Sequence, residues 1–366
     1  TVSSIHFKMK EFHILAIDGG GSKGLMEALI LQDIMNATTV LKQNPDRVLE
    51  ILQSGKEMFG LEEARQEFIK EMLMVEDQKA IHPTEVFDMI VGTSVGGMMA
   101  FGLVGGKVDQ NEERVPMTLQ EVVKFMYDTT EEIFSCCGRC IACWKTIATC
   151  TFHLHSSKGV KNALQKTFGD AKLNSFKNPC IAAAVARRFG CNDQDEKEKF
   201  DCLEIFDTRS SNKLVTDVLK ATSNAPIYFQ TPTMINNIPY VDGGLGGNCP
   251  MPQGFRRMKE LRKRSKLGSG LSIAPPRNVV HSQPNGLIFW AKYLTKSPTD
   301  GMSSYAEYKK QHPRGTNQRI FPRSEDAKKF KTDDRRVDEM VECMAKERRL
   351  DPEYLQEIGK YILSPL

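Results

Sequence analysis

From Met89 to Gly106 the chain runs 18 residues without a charged side chain, and six of those residues are glycine. That length approaches what a membrane-spanning helix needs, but the glycines and Ser94 favour a buried strand followed by a buried helix instead. The two elements divide at Gly92-Thr93-Ser94-Val95-Gly96. The apolar run Val86-Phe87-Asp88-Met89-Ile90-Val91 precedes it, and Met98-Met99-Ala100-Phe101-Gly102-Leu103 follows it. A strand that turns sharply into a helix through Gly-x-Ser-x-Gly lifts its serine hydroxyl clear of both elements, as a nucleophile requires. Small residues also line ordinary strand-to-helix turns, so the motif takes its meaning from what accompanies it.

Apolar runs suited to buried strands recur at Phe12–Ile17, Cys180–Ala186, Cys202–Phe206, Ile238–Val241 and Leu271–Ala274. Between them lie helical spacings at 22–42, 46–75 (broken near Gly55 and Gly60), 118–150, 159–168 and 214–223. Strands alternating with helices predict an α/β fold, a three-layer α/β/α arrangement around a mainly parallel central sheet. The chain of 366 residues, 40% of them hydrophobic, can bury a sizeable core. Composition turns polar at Pro275-Pro276, and helical spacing returns over 333–363. The expected organisation is one catalytic domain over 11–275 and a mostly helical C-terminal extension, 276–366, packed on it.

A net charge of +4 is too small for this length to suggest a nucleic-acid partner. Positive charge concentrates in Arg256–Lys266, seven cationic side chains against one acidic. A solvated helix face is the plain reading; anionic lipid headgroups and nuclear targeting are the sharper ones. No charged leader followed by an apolar core opens the chain, so a secretory signal is absent or already removed, and a cytoplasmic, peripherally membrane-associated protein is expected. Ten cysteines include five between Cys136 and Cys150, with His153 and His155 close by. Their overlapping pairs lack the span that separates ligand pairs in a structural zinc site, so no metal is expected. Buried or palmitoylated thiols beside Phe134, Ile141, Trp144 and Ile147 fit better. This stretch and the helical insert at 46–75 are both candidates for an interfacial lid.

Asp18-Gly19-Gly20-Gly21-Ser22-Lys23-Gly24 matches G-x-G-x-x-G between a strand and a helix. A dinucleotide site would also need an acidic residue at the end of a second strand ~20 residues on, and here that interval is helical. No Gly-Lys-Ser/Thr makes it a phosphate-binding Walker loop. What survives is a set of unencumbered N–H groups at a positive helix terminus, where a developing oxyanion is stabilised. Each such donor is typically worth ~3–4 kcal/mol.

A serine nucleophile needs a base. The late histidines, His281 and His312, lie in polar irregular sequence, whereas Asp242 ends a strand and is followed by two glycines. Such a position suits a carboxylate aimed into the crevice at the strand ends, though Asp-Gly is also a common turn pair. With a reference pKa of ~3.9, an aspartate acts as a base only in a partly dry site. Asp18 competes for the role, but its place beside the glycine loop points to organising that loop.

These pieces, in this order, resemble the patatin-like acyl hydrolases, which include patatin and the calcium-independent phospholipases A. Asp18–Gly24 is similar to the D-G-G-G-x-[KR]-G motif, Gly92–Gly97 to G-T-S-x-G-G, and Asp242-Gly243-Gly244 to D-G-[GA]. Ala225-Pro226-Ile227-Tyr228-Phe229 is similar to A-P-x-Y-F, and the likeness runs from about Glu11 to Ala274. The resemblance implies Ser94 as nucleophile, Asp242 as its base, and Gly19, Gly20 and Gly21 as the oxyanion hole. It further implies a phospholipid or other glycerolipid substrate, transient peripheral contact with a membrane surface, and no cofactor or metal. A catalytically silent lipid-binding module and an acyl-transferase using the same dyad are the alternatives.

Overall fold

A computed structural model describes residues 11–44, 62–133, 157–190, 202–209, 212–225, 228–229, 232–276, 301–311, 316–330, 334–350, 354 and 358. The cysteine stretch 136–150, His281, His312 and residues 46–61 of the proposed insert lie outside them.

The first strand, β1 (Glu11–Ile17), leads through the glycine loop and a single 3-10 turn (Gly21–Lys23) into α1 (Gly24–Gln43). After α2 (Glu62–Met74) comes a one-turn helix, α3 (Pro83–Val86), capped by His82 with Glu85 completing a capping box. Val86 therefore belongs to this turn, and β2 spans Met89–Thr93. Next come α4 (Val95–Gly105), a small hairpin β3–β4 (Lys107–Val108, Arg114–Val115), α5 (Leu119–Ile133) and α6 (Ser157–Phe168). The chain continues through β5 (Ile181–Arg188), β6 (Leu203–Asp207), α7 (Val215–Thr222), β7 (Thr233–Ile235) and β8 (Ile238–Asp242). Two helices, α8 (Gly244–Gly247) and α9 (Met251–Leu261), then lead to β9 (Lys266–Ile273). The last described elements are α10 (Gly301–Gln311), β10 (Thr316–Ile320), α11 (Glu325–Lys328) and α12 (Val337–Leu350).

Eight strands form one sheet in the order β10-β9-β1-β2-β5-β8-β7, with β6 also paired to β5. β10, β9, β1, β2 and β5 are mutually parallel, whereas β6 and β8 run against β5 and β7 against β8. Alternate strand residues divide the core in two, as the period of two requires. Leu15, Ile17 and Ile90 pack under α1, α4, α5, α6 and α7. Phe12, Ile14, Ala16, Met89 and Val91 face Met251 and Met258 of α9 and Tyr305 and Tyr308 of α10. The result is a three-layer α/β/α fold around a mainly parallel sheet.

Two features depart from the sequence expectation. Residues beyond 276 do more than pack on the outside, since β10 joins the sheet beside β9 with Arg319 opposite Ser272. Three of the seven cations in the run on α9 and after it are ion-paired: Arg257 with Asp207 at 2.7 Å, Arg262 with Asp88 at 2.6 Å, and Lys266 with Glu11 at 2.8 Å. Those pairs tie the run to the domain and leave Lys263 and Arg264 exposed beyond α9.

Candidate active site

Ser94 follows the last residue of β2 and caps α4, with φ 55° and ψ −126°. That backbone region disfavours side chains, so the elbow stores strain of about 1–3 kcal/mol that the surrounding contacts must hold. The contacts are specific. The Ser94 N–H donates to Thr222 Oγ1 at 2.9 Å, and the Thr222 hydroxyl donates in turn to the Val185 carbonyl of β5. Close approach sets the glycine at 96, where a Cβ would stand 2.3 Å from the Ile17 carbonyl oxygen at the end of β1.

Asp242 is buried at 7% exposure; its carboxylate accepts the Gly244 N–H at 2.7 Å and interacts with the Ser94 hydroxyl. Burial pushes its pKa from 3.8 up to about 6, against the opposing pull of the Gly244 N–H and the Ser94 hydroxyl. A carboxyl with that pKa is ionised at neutral pH, yet basic enough to hold a proton transiently. The strand end was expected to share the crevice of the parallel strands, but β8 runs antiparallel to β5. Asp242 arrives from the opposite direction and stops opposite Ala186, one residue past the Val185–Thr93 pairing that leads to Ser94.

The glycine loop completes the arrangement. A Cβ on Gly19 would lie 3.0 Å from Ser94 Cβ, so this backbone is in contact with the serine. Gly21 adopts φ 58°, which turns the chain into the 3-10 turn. Gly19, expected as an oxyanion donor, is already committed: its N–H donates to Asn248 Oδ1 at 3.1 Å, and Asn248 Nδ2 donates back to the Gly19 carbonyl at 2.8 Å. The N–H groups of Gly20 and Gly21 carry no hydrogen bond to a described residue. Gly24, first in α1, packs against Val95, first in α4, so two helix N-termini meet beside Ser94 and favour negative charge there.

Sequence reasoning missed Thr222 and Asn248, which hold the elbow and the loop. Asn248 stands six residues after Asp242, in Gly244-Leu245-Gly246-Gly247-Asn248, where an amide beside glycines reads as an ordinary turn. His13 has a structural place, its backbone N–H on Asp88 at 2.8 Å and its ring beside Ser269 at 2.8 Å.

A protein-family model for patatin-like phospholipase matches residues 148–254, a span that includes Asp242. The chain is also similar to a cGAMP-activated phospholipase of Pseudomonas aeruginosa (strain BWHPSA011 / Pa011). The two are 27% identical over 251 residues, covering 68% of this chain and 57% of that relative. The chain thus spans little more than half the length of the curated relative it matches. Together with the α/β/α sheet, these two matches support a likeness to the patatin-like phospholipases.

Proposed function

We propose that the chain is a lipid acyl hydrolase of phospholipase A type, with Ser94 as nucleophile and Asp242 as its base. The observation that carries this reading is a strained, elbow-mounted Ser94 whose hydroxyl interacts with a buried Asp242 carboxylate, itself pushed by burial to a pKa of about 6. Asp242 accepts the Ser94 proton as Oγ attacks the ester carbonyl. The oxyanion forms against the N–H groups of Gly20 and Gly21, with Gly19 serving as the close-packed neighbour of the serine. The proton passes from Asp242 to the departing lysolipid alkoxide, leaving an acyl-serine. Water then attacks the acyl carbonyl, gives a proton to Asp242, and releases the fatty acid as Ser94 takes that proton back.

Backbone dipoles meet the developing charge, so the reaction is proposed to be metal-independent, with activity retained in excess chelator. The substrate is a glycerolipid, and the partner surface a membrane. Phe189, just beyond β5, and Met234 of β7 are 59% and 55% exposed. Both contact the Pro239 level of β8, through the Phe189 N–H to the Pro239 carbonyl and the Met234–Pro239 pairing. They stand at the same end of the sheet as Ser94 and suit insertion into a lipid interface.

The test is a product assay on mixed phospholipid vesicles with wild type, Ser94→Ala and Asp242→Asn. Because the relative is named for activation by cGAMP, each arm is run with and without that nucleotide. Free fatty acid from wild type alone is expected. Equal release by Ser94→Ala would refute the assignment, and acyl transfer to an added alcohol without fatty-acid release would favour the transferase.

A further inference from the structure

The residue just before the glycine loop is held by the far end of the sequence. Asp18 is 1% exposed, and its carboxylate receives the guanidinium of Arg319 from β10 in a fork: Nη1 to Oδ1 at 2.9 Å and Nη2 to Oδ2. Nη1 also donates to Ser272 Oγ at 2.5 Å, and the guanidinium lies 5.5 Å from the centre of the Tyr305 ring. Gly301 packs its backbone on the pair, where a Cβ would meet both the Asp18 carboxylate and Arg319. Three positions beyond residue 300 thus close around Asp18, whose own N–H is fixed to Ile273 of β9 at 3.0 Å. From Asp18 the connection is short: Gly19 is clamped by Asn248, and the N–H groups of Gly20 and Gly21, without a partner among the described residues, follow at once.

We propose that Arg319 is a positioning residue for the oxyanion loop, so that the segment beyond residue 300 is part of the catalytic unit. Arg319 touches no substrate. It anchors Asp18 from β10 so that Gly20 and Gly21 present their N–H groups toward Ser94. A forked, planar guanidinium fixes both carboxylate oxygens, and a lysine ammonium cannot reproduce that geometry. A misplacement of 1 Å in such a loop is enough to lower turnover ~100-fold. The inference rests on the Ser94–Asp242 reading and assigns a part in it to Arg319, which lies outside the stretch that resembles the family.

A second buried pair supplies the control. Arg348 of α12 forks onto Asp33 of α1 at 2.6 and 3.0 Å, where Tyr354 also donates to Asp33 at 2.9 Å. That pair also ties a late helix to the domain but lies on α1, away from the glycine loop. The full chain carrying Arg319→Gln, Arg319→Lys or Arg348→Gln is assayed on a soluble short-chain ester, with kcat normalised to the folded fraction. The expected result is a kcat ~100-fold lower for Arg319→Gln and ~10-fold lower for Arg319→Lys, each with KM within threefold. Arg348→Gln should stay within twofold in kcat even where its thermal midpoint falls. If Arg319→Gln does not fold, Arg319→Lys decides alone, because it keeps the charge. Normalised kcat within twofold of wild type for Arg319→Lys, or equal losses for the Arg319 and Arg348 variants, would overturn the proposal. A wild type that neither hydrolyses ester nor depends on Ser94 would instead sink the underlying dyad, and the proposal with it.

Discussion

Asp242 reaches Ser94 from a strand that runs opposite to the one carrying the serine. Thr93 of β2 lies beside Val185 of β5, and Ala186 lies beside Asp242 of β8. Neighbouring register positions on β5 therefore set the distance between nucleophile and base. Because β5 is a central, fully hydrogen-bonded strand, that separation is fixed by sheet geometry and not by loop conformation.

The raised pKa of Asp242 predicts the pH profile. The base must be ionised to accept the serine proton, so kcat/KM should rise with pH, reach half its plateau near about 6, and level off above neutrality. A plateau already reached by pH 4 would contradict it.

The same shift predicts a conflict between stability and activity. Folding raises the Asp242 pKa from 3.8 to about 6, so the native state binds this proton more tightly than the unfolded chain. The favourable contribution is complete below the unfolded value and is lost as pH rises through about 6. Above that, the buried charge costs about 2–3 kcal/mol. Asp242→Asn should therefore abolish activity while raising the thermal midpoint at pH 8, with little gain at pH 4. Calorimetry at the two pH values checks this.

Ser94 sits at φ 55°, where glycine is at ease and serine is not. Ser94→Gly should be inactive yet more stable than Ser94→Ala by about 1 kcal/mol, read from denaturant midpoints. Equal stabilities would mean that the elbow is unstrained.

Asn248 makes two hydrogen bonds to Gly19, at 3.1 and 2.8 Å. Asn248→Ala should lower stability by about 1–2 kcal/mol and kcat by about tenfold, since the loop loses the clamp beside Ser94. Loss of stability with unchanged turnover would show that the loop holds its shape without it.

Phe189 and Met234 test the membrane reading. Replacing both with Ser should reduce binding and hydrolysis of phospholipid vesicles about 30-fold or more and leave turnover of a soluble ester unchanged, because each removes about 1–2 kcal/mol of apolar burial in lipid. Parallel loss on both substrates would point to damage within the fold.

Much of this site was legible because its parts are local. Glycines at 19–21 and 92–97 and the Asp-Gly-Gly at 242–244 each sit at a strand end, where chain geometry demands small residues whatever the distant partners are. The direction of β8 was not legible, since Ile238-Pro239-Tyr240-Val241 has the same apolar pattern whichever way it runs. β10 was hidden for another reason: Thr316-Asn317-Gln318-Arg319-Ile320 is an edge strand with one aliphatic side chain, so it shows no alternating apolar pattern. The Asp18–Arg319 pair spans 301 positions, and nothing near either residue announces the other. The cationic run at 256–266 looked like a free surface because its acidic partners Asp207, Asp88 and Glu11 are equally remote.

The central claim, that Ser94 is a nucleophile activated by Asp242, is tested most directly by covalent capture. The 366-residue chain is treated with a fluorophosphonate at pH 7.5, and the modified residue is located by peptide mass spectrometry. One adduct per chain on Ser94 is predicted, with labelling slowed at least 100-fold in Asp242→Asn. An unlabelled Ser94, or labelling that is indifferent to Asp242, would contradict the account.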